Sequence, residues 1–169
     1  MQLGAACAKL RPASEPPPLL TAVPKQLLSW SYIVHDESRE LARIELAWLR
    51  AAGTLVLAGK TYRLERRGLV SGTYALDEGD TVLASARPSG FLLRTLEVDA
   101  GRDHYTLQPA GMWSRAFVLT KGKQELGTIR PMGLFSRQAL VDVPESVPQT
   151  LQLFLLWLVL VRWKRQAAQ

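Results

Sequence analysis

The chain of 169 residues holds a single cysteine, Cys7, and only two histidines, His35 and His104. One thiol excludes an internal disulfide, and three Cys and His side chains in all are too few for a four-ligand Cys/His zinc site. The sequence also lacks a Gly-x-Ser-x-Gly elbow, a Walker loop, a dinucleotide fingerprint and a His-Glu-x-x-His helix, so the chemistries those motifs carry have no carrier. Asp103-His104 has the residue types of an acid/base pair. A lone histidine beside an acid on a strand nevertheless reads as a surface residue, and His35-Asp36-Glu37 falls at a hairpin turn. A protein without enzymatic activity, cofactor or metal is the expectation.

Apolar residues make up 47% of the chain and charged residues 21%, the balance of a packed domain rather than a disordered or fibrous chain. At this length folding removes about 70% of the unfolded surface from water, enough for one self-sufficient core. Residues 1–24 are rich in Ala and Pro, with Pro16-Pro17-Pro18, and read as a disordered or extended arm; the domain is expected over residues 25–169. Lys9 and Arg11 interrupt the arm before a signal-peptide core forms, and Leu3-Gly4-Ala5-Ala6-Cys7 only loosely resembles a lipoprotein box, which leaves a cytoplasmic monomer as the expectation. The net charge of +6 favours anionic partners.

Residues 74–99 superpose on residues 117–142 at a constant offset of 43, without a gap and with nine identities: Leu76, Gly79, Leu83, Arg87, Pro88, Gly90, Arg94, Val98 and Asp99 meet Leu119, Gly122, Leu126, Arg130, Pro131, Gly133, Arg137, Val141 and Asp142. A fainter copy precedes them by 42, with Tyr32, Val34, Leu41 and Ala42 ahead of Tyr74, Leu76, Leu83 and Ala84. Each copy reads as strand, tight turn, strand, turn, strand, with Arg-Pro-x-Gly at 87–90 and 130–133 as β-turns. A fourth strand per unit fits residues 61–66 and 104–108. Three units give eleven or twelve strands, too few for a propeller, and a closed barrel that wide leaves a lumen its own wall does not fill.

Residues 153–161 form an unbroken apolar run of nine, flanked by Ser146-Val147-Pro148-Gln149 with capping-box spacing and by Arg162, Lys164 and Arg165 where a helix dipole favours cations. A helix over about 147–165 is predicted. Leu153, Phe154, Leu156, Trp157, Leu160 and Val161 cover every side of it, so it is either a core helix or a membrane span. Its greasy part, residues 151–161, rises about 16 Å against the roughly 30 Å of a bilayer core. The core reading is preferred, and a tail anchor over 147–163 is the alternative.

A meander of about a dozen strands followed by a C-terminal apolar helix, spanning residues 30–165, resembles the tubby C-terminal-like superfamily, which includes tubby, the LURP-one-related proteins and the phospholipid scramblases. The resemblance rests on the strand units, on turns such as Arg87-Pro88-Ser89-Gly90 and on residues 151–165. It implies a closed antiparallel barrel threaded by the hydrophobic helix, and a role at membrane surfaces through phosphoinositide or other phospholipid binding, or lipid movement. The calcium segment of scramblases has no counterpart, because Asp142, Glu145 and the residues between them lack an EF-like ligand spacing.

Arg94 and Arg137 occupy equivalent repeat positions and share the parity of Leu92, Leu96 and Val98 and of Phe135, Ala139 and Val141, which points each guanidinium inward. The functional reading is a forked anion site near one barrel rim, with Arg87, Arg130, Lys121 and Lys123 adding long-range attraction; the structural reading pairs both arginines with Glu97, Asp99 or Asp142. Anionic lipid headgroups or a protein partner are the expected ligands. Single-stranded nucleic acid is the alternative, on the strength of Trp30, Trp48, Trp113, Trp157 and Trp163, although most of these read as packing residues.

Overall fold

The computed structural model describes residues 19–26, 29–47, 50–68, 72–90, 93–133 and 135–168. Twelve strands follow one another as β1 (Leu19–Pro24), β2 (Ser31–Asp36), β3 (Arg39–Leu46), β4 (Ala52–Leu57), β5 (Lys60–Arg67), β6 (Thr73–Glu78), β7 (Thr81–Ser89), β8 (Thr95–Ala100), β9 (Asp103–Pro109), β10 (Phe117–Lys121), β11 (Gln124–Pro131) and β12 (Ala139–Asp142), and a helix, α1 (Gln149–Ala167), ends the chain. Each strand pairs antiparallel with its sequence neighbour, and β1 pairs with β12 to close a barrel.

Alternation along the strands decides which side is inside. In β5, Tyr62 and Leu64 are buried while Arg63 is exposed and Glu65 is half-buried; in β3, Ala42, Ile44 and Leu46 are buried while Arg43 and Glu45 face out. Polar ladders run over the outer wall, Arg87 to Asp99 to His104 in one row and Ser89 to Glu97 to Thr106 in another. A charged outer face is the reverse of the apolar band that a bilayer-spanning barrel turns to lipid.

The threefold repeat is real in the geometry. A β-bulge follows Val34, Leu76 and Leu119, at corresponding places in the first hairpin of each unit, and increases the local bend that closure needs. The next turn places Glu37, Gly79 and Gly122 at φ of 55°, 60° and 59°, a left-handed conformation that glycine adopts without strain. The units are β2–β5 and β6–β9, and the third consists of β10, β11 and β12 with β1 as its fourth strand.

That arrangement corrects the expected arm: residues 19–24 are wall. Leu20 and Ala22 face the core, and the strand is held on both edges by β2 and β12. Its β12 partner lies some 120 residues downstream, and the Pro-rich residues before it mask its pairing with β2. The Arg-Pro pairs also sit differently from the turns expected of them. Arg87-Pro88 belongs to β7 and Arg130-Pro131 to β11. Pairing of β7 with β6 ends at Ala86, so Pro88 removes no ladder donor on that side.

The helix fills the lumen. Its residues 151–161 are all buried, as is Trp163, and Leu153, Phe154, Leu156, Trp157 and Leu160 have no exposed surface while Val161 has almost none. Small wall residues, Ala22, Ala42, Ala84, Ala86 and Ala139, leave room for these large side chains. Gly53 is the extreme case, since a Cβ there would stand 2.1 Å from the Glu45 carbonyl oxygen and 3.3 Å from the Trp157 indole nitrogen. The expected capping box is not formed: Pro148 is the N-cap without a side-chain bond, and Gln152 instead donates to the carbonyls of Pro144 and Val147. Among the described residues no helix is long and apolar enough to cross a membrane, and the wall, not lipid, covers this one.

Candidate functional site

Every other connection of the meander lies at the same end of the barrel. One end carries tight hairpins; the other carries the loops 25–30, 47–51, 68–72, 90–94, 110–116 and 132–138. The helix enters at the hairpin end and leaves among the loops. There Arg162 donates to the Leu93 carbonyl at 2.9 Å, Trp163 Nε1 to that of Arg115 at 2.8 Å, and Lys164 to that of Ala47. Three loops are thus pinned to the helix terminus.

Charge is sorted between the ends. Each loop taken with the strand residue on either side, together with the helix end 162–168, supplies Lys25, Arg50, Arg67, Arg94, Arg115, Arg137, Arg162, Lys164 and Arg165, nine cations and no Asp or Glu. Counted the same way, the five hairpins with residues 142–148 hold seven carboxylates (Asp36, Glu37, Glu78, Asp80, Asp103, Asp142 and Glu145) against five cations (Arg39, Lys60, Arg102, Lys121 and Lys123). Arg67 is neutralised by Asp77 and Glu65. Arg94 donates to the Met112 carbonyl, and Arg137 donates to the Ser29 carbonyl and lies 4.4 Å over the Trp30 ring. Bonds to neutral carbonyls orient these guanidiniums without cancelling their charge. Burial pushes the Arg162 pKa down and the neighbouring Arg165, Arg94 and Arg66 push it further, while the Tyr74 phenol opposes them; burial alone lowers that of Lys164. Between loops 25–30 and 132–138 lies an open cleft of about 460 Å³ lined by Lys25, Gln26, Phe135 and Arg137 among others.

The tips of these loops share a construction. Ser29, Leu93, Ser114 and Ser136 donate their N–H to the carbonyls of Gln26, Gly90, Gly111 and Gly133, closing four β-turns at 3.1–3.2 Å. In three of them the serine hydroxyl accepts the N–H two residues on, in Ser31, Ala116 and Gln138. Two central residues of such a turn usually are small or polar. In the 111–114 turn, described throughout, they are Met112 and Trp113, and Phe135 precedes Ser136 in the 133–136 turn. Met112 is 73% exposed, Trp113 92% and Phe135 97%; with Leu93 and Met132 they are five of the eight exposed large apolar side chains among the described residues.

The six anion-site candidates do not form one site. Arg94 and Arg137 both lie at the loop end but a third of the barrel's circumference apart, just before β8 and β12, and Phe135 is almost fully exposed where the parity argument points it inward. Neither arginine meets Glu97, Asp99 or Asp142 in an ion pair or hydrogen bond among those described; Arg94 donates to a loop carbonyl, and Arg137 donates to another while meeting Tyr32 and the Trp30 ring. Arg87 lies on the outer wall, bonded to Asp99 at 3.3 Å, and Arg130 is exposed on β11. Lys121 and Lys123 are at the hairpin end, about 25 Å away by the rise of an eight-residue strand, and Lys121 is held by Asp103 at 2.7 Å. Asp103 therefore turns to Lys121, while His104 meets Asp99 across the β8–β9 pair. Trp113, read as a packing residue at the start of a strand, is a loop tip, because the Gly111–Ser114 turn precedes β10. Trp48 lies outside the described residues.

These features define a class by architecture: a closed twelve-stranded barrel, filled by its own C-terminal helix, with one cationic mouth. The chain matches no protein-family model, no curated protein and no solved structure.

Proposed function

We propose that the protein is a tubby-like, non-enzymatic module that binds anionic phospholipid at a membrane surface, as a peripheral monomer on the cytoplasmic side. The observation that carries this reading is the sorting of charge: nine cations, of which only Arg67 is neutralised in the pairs described above, and no carboxylate in the connections and helix end at one mouth of the barrel. A cationic end attracts a negatively charged surface, and each Lys or Arg near it contributes about 1 kcal/mol. The helix-filled barrel agrees with the architecture that the resemblance implies.

The test is sedimentation with vesicles of phosphatidylcholine with and without phosphatidylserine or a phosphoinositide. Binding is expected only to the anionic vesicles and weakens with salt. Lys25→Gln with Arg50→Gln, two exposed positions at the loop end, should weaken it by about 2 kcal/mol, roughly thirtyfold. Lys121→Gln with Lys123→Gln, at the opposite end, should leave it nearly unchanged. Equal binding to neutral vesicles, or a larger loss from the hairpin-end pair, overturns the reading. Binding of single-stranded nucleic acid in place of vesicles turns the cationic end to the other anion.

A further inference from the structure

A cleft of about 410 Å³ opens at the loop end between the end of β5, residues 50–52 and the last turn of α1, and Arg50, Ala51, Glu65, Arg66, Gly68 and Arg165 line it. Arg50 and Arg165 also line a second cleft of about 220 Å³, together with Lys164. Backbone joins two of the walls, since Arg66 donates its N–H to the Ala51 carbonyl at 2.8 Å. Two of the guanidiniums are seated. A Cβ at Gly72, whose φ is 59°, would stand 2.6 Å from Arg66 Nε and 2.8 Å from its Cζ, so the missing side chain makes room for the fork. Arg165 lies 6.0 Å over the Tyr74 ring. Among the described residues no carboxylate meets Arg50, Arg66 or Arg165 in an ion pair or hydrogen bond. Glu65, the acid in the lining, is held by Arg67 at 2.6 Å and lies 3.9 Å from Arg63. The charges of Arg66 and Arg165 also reach Arg162 and push its pKa down, as cations gathered without a counterion do.

We propose that this cleft is a binding site for a phosphate monoester, held between the guanidiniums of Arg50, Arg66 and Arg165. The inference rests on the lipid-binding reading and adds the group that the cationic mouth selects. Guanidinium forks match the paired oxygens of a phosphate, where a lysine offers only a point charge. A monoester carries about −1.5 to −2 at neutral pH and three acceptor oxygens, so it satisfies more of three cations than the single charge of a diester or carboxylate does. About half a negative charge stands at the helix C-terminus, and Lys164 in the same last turn offsets it. The same chemistry is offered by a lipid headgroup ending in a phosphate and by the free ion.

The experiment compares the parent with Arg66→Lys, Arg165→Lys, which keeps both charges and removes two forks at exposed positions; its melting curve in chloride checks the fold. Both proteins are sedimented with vesicles of phosphatidylcholine containing either phosphatidic acid, a monoester, or phosphatidylserine, a diester, at matched surface charge. Both are also melted with inorganic phosphate and with chloride at equal ionic strength, because a ligand of the native state raises the melting temperature. The parent should prefer phosphatidic acid by about tenfold, the worth of roughly one charge-assisted hydrogen bond, and the variant should lose that ratio. A vesicle preference that the variant loses assigns the site to a headgroup, and a phosphate-induced rise that the variant loses, without a vesicle preference, assigns it to the free ion. Neither effect in the parent, or either one undiminished in the variant, overturns the site and leaves binding to anionic vesicles standing. A parent that binds neither vesicle removes the lipid-binding reading, and the melting curves then decide the site alone.

Discussion

Trp157→Ala tests whether the helix is the core of the barrel. The indole has no exposed surface, meets the Tyr74 ring edge-on at 5.8 Å between centroids and stacks on Phe154 at 5.9 Å. Truncating a buried Trp costs about 3–5 kcal/mol, and a closed wall that cannot collapse onto the cavity places this one in the upper part of that range. Against a total stability of about 5–15 kcal/mol the loss is large. For a chain of this length it lowers the melting temperature by roughly 8–20 °C. Urea unfolding followed by circular dichroism avoids reading a signal that the substitution itself removes. Trp157→Phe separates ring from cavity: the indole N–H is buried with no acceptor among the described residues, so replacing it leaves most of the packing and relieves one orphan donor. The Phe variant should recover more than half of the loss. A cost below about 1 kcal/mol for Ala, or equal costs for Ala and Phe, contradicts a helix-filled barrel.

Gly53→Ala should be more damaging than Gly59→Ala, measured as a shift in urea midpoint. The first methyl collides with backbone at 2.1 Å, whereas Gly59, at φ of 77°, has nothing within 4 Å and costs only the left-handed strain of about 1–2 kcal/mol. Burial pushes the Tyr32 phenol above its ordinary value of 10.0, with Arg137 and Arg115 opposing. Above pH 10 the unfolded chain then gives up a proton that the native state keeps, so stability present below that pH falls as the pH rises toward the raised native value. Tyr32→Phe should show a shallower alkaline loss than the parent; identical slopes contradict the burial argument.

The barrel was legible because repetition and alternation are properties of the chain itself. A gapless offset of 43 carries β6–β8 onto β10–β12, and an apolar run with no polar side demands a surrounding wall. Closure by β1 was not legible, since its partner β12 is remote in sequence and Pro-rich flanks disguise it. The parity that joins Phe135 to Arg137, Ala139 and Val141 failed at Phe135, which is almost fully exposed, for a related reason. Alternation holds only within a strand, and β12 begins after that residue, at Ala139. Trp113 misled because a tryptophan beside a strand usually packs. The signal that identifies it was nevertheless present as an apolar pair every 21–22 residues, half the period of the strand units.

The most direct test of a membrane-docking mouth is amide hydrogen exchange of the full chain with and without phosphatidylserine vesicles. Exchange reports local protection along the backbone, and docking by one end predicts slowing confined to residues 25–30, 47–51, 68–72, 90–94, 110–116 and 132–138, with the hairpins at 36–39, 78–81 and 121–124 unchanged. Protection of the hairpin end or of the outer wall, or none anywhere while the protein is vesicle-bound, contradicts it.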